Sequence, residues 1–108
     1  MKNTFIVVLI TAKDKDEAKK VARGLLQKKL IACANIIEGV TSLFWWEGKI
    51  DESGEVLLIL KSQQSKFKEI VNETKKLHSY SVPEIISLPI VQGNIDYLNW
   101  IKQSIGKN

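Results

Sequence analysis

Two tryptophans stand side by side in SLFWWEGKI (Ser42–Ile50), inside a run from Ala32 to Ile50 built almost throughout of strand-forming residues. Neighbouring side chains on a strand point to opposite faces, so Trp45 and Trp46 face opposite sides of one sheet. A chain that does this either uses a tryptophan to bind something or has its sheet covered on both sides. The pattern recurs: FIVVLIT (Phe5–Thr11) and EVLLILKS (Glu55–Ser62) are apolar at both parities, as strands buried on two faces are.

Between these runs lie two helical patterns. Asp14, with Glu17 three residues on, has the form of a capping box. Ala18, Val21, Ala22, Leu25 and Leu26 then form an apolar stripe at helical spacing. SKFKEIVNETKKLH repeats the pattern, with Phe67, Ile70, Val71, Thr74 and Leu77 on one side. SYSVPEIISLPIV predicts a fourth strand carrying both prolines. Asn94 predicts an N-cap for a last helix lined by Ile95, Leu98, Ile101 and Ile105 and stopping at Gly106. Glu38-Gly39 suggests a bulge, and DESG (Asp51–Gly54) the turn between strands two and three.

The order is βαββαβ with a C-terminal helix, which predicts an α+β, ferredoxin-like fold in a single domain spanning residues 1–108. Two right-handed crossovers and a central hairpin give a four-stranded antiparallel sheet with strands two and four at the edges. Pro89, unable to donate to a ladder, suits an edge strand. Helices cover only one face of such a sheet, and a bare apolar second face exceeds what a soluble monomer tolerates. Strand two, from Ala32 to Ile50, runs about 19 residues, roughly 60 Å if straight, against about eight for strand three. The excess must bend or pair outside its own subunit. Both features call for a partner, the simplest being another copy, with Trp45 and Trp46 as interface and core residues.

The single cysteine, Cys33, excludes an internal disulfide and fits a reducing, cytoplasmic setting. No apolar run is long enough to span a bilayer. The N-terminal MKNTFIVVLI has a lysine before a short apolar run but no small-residue cleavage site, so it is expected to stay as a strand. Residues 1–33 carry eight basic and three acidic side chains, whereas 38–55 carry one basic and five acidic. With no interleaved aromatics, the basic excess solvates the first helix rather than binding a polyanion. RNA-recognition domains share the element order but stack bases on aromatics of strands one and three, and EVLLILK has none; no nucleic-acid partner is expected.

ACANIIEGVTSLFWWEGKI, EVLLILK, the H-x-Y of HSYSVPEI and VPEIISLPIVQGNIDYLNWI closely resemble the CutA divalent-cation tolerance proteins, in order and over nearly the whole chain. The resemblance implies a ferredoxin-like subunit in a homotrimer, its long hairpin wrapping a neighbour, and a link to tolerance of copper and other divalent metals. It also implies likeness to the PII signalling trimers. The alternative reading is therefore a PII-like sensor binding a small ligand at clefts between subunits. The family pattern HPYEVPE stands here with Ser79 and Ser81 at its second and fourth positions. A second cysteine and a second histidine found in some members are replaced by Ile10 and Leu77.

The candidate polar set is Cys33, Lys61, His78, Tyr80 and Glu84, with Trp46 nearby by the resemblance. His78, Cys33 and Glu84 are the candidate metal ligands, and Lys61, Tyr80 and Trp46 the candidate lining of an intersubunit cleft. Each has a plainer role open to it: His78 at a helix C-terminus, Tyr80 and Glu84 as loop ties, Cys33 as a small buried hydrophobe. Durable zinc or copper sites take three or four ligands, so only weak binding is expected, best for Cu²⁺, with no other cofactor. No nucleophile elbow, phosphate-cradling glycine loop, HExxH or cysteine pair is present, and the chain is expected not to be an enzyme.

Overall fold

The computed structural model describes residues 4–106. Its elements run β1 (Phe5–Ala12), α1 (Lys15–Gln27), β2 (Cys33–Trp46), β3 (Lys49–Gln63), a 3₁₀ turn (Gln64–Lys66), α2 (Phe67–Leu77), β4 (Ile85–Pro89) and α3 (Ile95–Ser104). The strands form one antiparallel sheet in the order β2-β3-β1-β4. This is the ferredoxin-like arrangement, with Pro89 on an edge strand opposite Ile6.

One face of the sheet is a core. Ile6, Val8, Ile10 and Ala12 of β1 and Val56, Leu58 and Leu60 of β3 meet Ala18, Val21, Ala22 and Leu25 of α1 and Ile70 of α2. The capping box forms with a variation. Asp14 Oδ1 accepts the Glu17 N–H at 2.8 Å, while Glu17 Oε1 accepts from Lys13, the residue before the cap. Gly24 brings α1 against α2, since a Cβ there would lie 2.5 Å from Leu77 Cδ1. That contact turns the opposite flank of α1 outward, so Leu26, placed on the apolar stripe by its spacing, is exposed.

The other face is bare in a single chain. Val7, Leu9, Leu57 and Ile59 are half-buried on it, and Ile37, Ile86 and Leu88 are exposed. α3 lies at one end, where Ile101 and Ile105 pack with Ala32, Phe5 and Leu98. Asn94 caps α3 through Oδ1 to the Asp96 N–H at 2.9 Å, and the helix stops at Ser104, before Gly106.

The hairpin differs from the expectation. Its turn is Glu47-Gly48, not Asp51–Gly54, and β3 begins at Lys49 and pairs with β2 over nearly its full length. Glu47 and Gly48 both have positive φ, 50° and 79°, as the two central residues of a type I′ turn do. The length mismatch between strands two and three therefore vanishes. Asp51, Glu52 and Ser53 fit a strand because this part of the hairpin stands beyond the helices. The bulge does form: pairing shifts between Ile37 and Val40 around Gly39, whose φ is 80°. Past it, β2 and β3 make an arm on which Leu43, Trp45, Trp46 and Ile50 are all exposed, Trp45 by 73%. Neither tryptophan is a core residue of its own chain. β4 is also shorter than the predicted run, because 79–84 is a loop rather than strand.

Candidate functional site

The loop after α2 is pinned where β1 ends. His78 is the C-cap of α2, and none of its side chain is exposed. Its Nε2 lies 2.7 Å from the Thr11 carbonyl oxygen, and its Nδ1 lies 3.1 Å from the Tyr80 N–H donor. A carbonyl only accepts and a backbone N–H only donates, so the ring is the neutral tautomer with the proton on Nε2. Glu17 Oε1 is 3.9 Å from Nδ1. The Glu17 carboxylate, buried beneath the loop, accepts from Lys13 N at 3.0 Å and Ser79 N at 2.8 Å. Burial pushes its pKa up, but the donors from Lys13 and Ser79 outweigh burial and hold it below its ordinary value.

Tyr80 stands beside His78, ring centroids 4.7 Å apart, and its hydroxyl donates to Glu55 Oε2 at 2.8 Å. Burial, then the Glu55 carboxylate, raise the Tyr80 phenol to about 12. The phenol is thus a fixed donor at neutral pH. Glu84 is exposed just before β4.

Cys33 lies elsewhere. It pairs across the ladder with Lys61, which in turn faces Val7, four residues or ~13 Å along β1 from Thr11. Its Sγ is 3.4 Å from the Tyr97 hydroxyl, and Tyr97 stacks on Trp100. Lys61 Nζ donates to Asn35 Oδ1. Within one chain the candidate ligands are therefore not gathered. Among the described residues no group of three His, Cys, Asp or Glu side chains is placed to hold a metal ion. The shallow groove of about 410 Å³ between the start of α1 and the end of α2 does not supply one. Of its carboxylates Asp14, Asp16 and Glu17, the first and the last already accept backbone N–H groups, and Lys13, Lys20 and Lys76 line it too.

The candidate cleft residues are likewise strung out along β3. Lys61 and Glu55, the partner of Tyr80, are six residues apart, and Trp46 pairs with Lys49 six further on, so each step is ~20 Å. A cleft containing all three needs more than one chain. The sequence reading missed Glu55 as the partner of Tyr80 and Glu17 as the anchor of the 79–84 loop. Glu17 signalled only a helix cap, and nothing in a linear pattern joins residues 25 and 62 positions apart.

A sequence profile described as CutA1 divalent ion tolerance protein matches residues 6–104. The chain is 41% identical to the divalent-cation tolerance protein CutA of Thermus thermophilus, covering 93% of this chain and 97% of that one. It is 43% identical to the chloroplastic protein CutA 1 of rice, over 92% of this chain, and spans 56% of that relative's length. The crystal structure of CutA1 from rice superposes with a TM-score of 0.94 at 41% identity, covering 97% of this chain and 96% of that one. These likenesses favour cation tolerance over a PII-like ligand sensor. Among the described residues no helix is long and apolar enough to cross a membrane.

Proposed function

Since the chain belongs to the CutA1 divalent ion tolerance family, we propose that it acts in cation tolerance as a non-enzymatic homotrimer that holds divalent ions weakly. The observation that carries the assembly is the uncovered apolar surface: a bare sheet face with Ile37, Ile86 and Leu88 exposed, and an arm that exposes Trp46 on that side and Leu43, Trp45 and Ile50 on the other. So much exposed apolar surface, on the sheet and on both sides of the arm, is buried by partners in a stable protein, and a second and third copy supply the matching surfaces. Clefts between copies would bring Lys61, Tyr80 and Trp46 of different chains together. A free thiol suits a reducing, cytoplasmic setting.

Weak binding follows from the ligand set. Cys33 is a partly exposed soft ligand, Glu84 an exposed carboxylate, and neither sits in a preformed cage. Among first-row divalent ions Cu²⁺ binds best to such donors. A non-enzymatic role is supported by Tyr80 and His78, whose polar atoms near the groove are already held by fixed partners. Light scattering on a sizing column tests the assembly, with about three times the 12.2 kDa chain mass expected and a stable monomer at micromolar concentration counting against it. Calorimetric titration of metal-stripped protein with Cu²⁺ should give a Kd near micromolar, roughly −8 kcal/mol, weakened by Cys33→Ser. Nanomolar affinity would require a built site.

A further inference from the structure

His78 is the one histidine of the chain and the first residue that a cation-binding reading selects. A metal bonds to an imidazole through a nitrogen lone pair that has an open approach. His78 offers none. Nε2 carries the proton that goes to the Thr11 carbonyl, and the Nδ1 lone pair accepts the Tyr80 N–H. The side chain is wholly buried, and releasing either nitrogen would break a hydrogen bond to the backbone, the one to Thr11 in the interior and the one to Tyr80 partly buried. The two contacts also join three parts of the fold: the end of β1, the end of α2 and the loop that carries Tyr80 onto Glu55.

We propose that His78 is a positioning residue and not a metal ligand: it fixes Tyr80 on Glu55, and divalent cations interact with this protein without its imidazole. The inference uses the cation-tolerance reading only to choose the ion. It separates this chain from any account in which the histidine near the α2 terminus captures copper.

The sole histidine makes the test direct. Tag-free protein loaded with one equivalent of Cu²⁺ is examined by pulsed electron paramagnetic resonance, where the remote nitrogen of a coordinated imidazole gives a characteristic modulation. No imidazole modulation is expected; its presence at stoichiometric intensity would overturn the proposal. Nitrogen-15 spectra of the ring should show a protonated Nε2 and a bare Nδ1, both unmoved by Zn²⁺, and a shifted ring nitrogen would also count against it. The positioning role is read from Tyr80 in a Tyr97→Phe background. Its phenol, held near 12 by burial and Glu55, should lose its proton about tenfold more readily in His78→Ala. An unchanged Tyr80 ionisation in folded His78→Ala would remove that role. If His78→Ala does not fold, the spectra of the unaltered protein still decide the ligand question. If calorimetry finds no binding, the cation reading falls, while the ring spectra still judge this one.

Discussion

Glu17 shows how one side chain serves two elements. Its carboxylate belongs to the capping box of α1 and also anchors Ser79, 62 residues away. Because its folded pKa is depressed, its contribution is fully present above the ordinary value of 4.5 and is lost as pH falls through the folded value. Glu17→Gln should therefore lower the melting temperature at pH 7, and the gap from the unaltered protein should narrow as pH drops below 4.5. Thermal unfolding at pH 7, 5 and 3.5 measures this; a constant gap would mean the carboxylate's charge is irrelevant. At this scale the cap was legible in the sequence because it is local, spanning Asp14 to Glu17. The contacts of Glu17 with Ser79 and of Tyr80 with Glu55 were not, because they join segments that only the fold makes neighbours.

At the scale of the element, the hairpin is the instructive case. The sequence indicates a β2–β3 hairpin and a bulge at Glu38-Gly39, and both are present. Its turn was misplaced because Asp51–Gly54 has turn composition, whereas Glu47-Gly48 carries a single glycine among bulky neighbours. Pairing of Phe44 with Asp51 and Trp45 with Ile50 sets the register, and that register leaves only two residues for the turn. Type I′ turns favour Asn-Gly, so Glu47→Asn should raise stability by about 0.5–1 kcal/mol. Gly48→Ala, forced to a φ of 79°, should lower it by about 1 kcal/mol or more. Denaturant midpoints at one protein concentration compare the two. Opposite signs are expected, and equal signs would argue that the turn has another conformation in the assembly.

At the scale of the whole molecule, the chain is an elongated body, 43 by 26 by 25 Å, with a core on one sheet face and apolar surface on the other. Trp46 is 54% exposed and makes no part of its own core. In the proposed trimer Trp46→Ala thus acts on association more than on the fold of one chain. The variant should dissociate at a protein concentration at least about tenfold higher than the unaltered protein, as loss of a buried aromatic contact implies. Sedimentation across a dilution series checks this. Unchanged dissociation with a lower melting temperature would place the tryptophan in a fold-stabilising contact instead.

The sequence by itself determined the element order, the helix caps, the edge position of Pro89 and the family, because these rest on periodicity, local hydrogen bonds and side-chain identity. It also marked the second sheet face as apolar, since two-sided strands are visible in a run such as Phe5–Thr11. The tertiary structure alone decided which flank of α1 meets solvent, since Gly24 against Leu77 rotates Leu26 outward. It alone decided the chemistry of His78. Whether an imidazole is a ligand or a buried hydrogen-bonding link depends on which atoms occupy its two nitrogens, and here those belong to Thr11, 67 residues away, and to Tyr80.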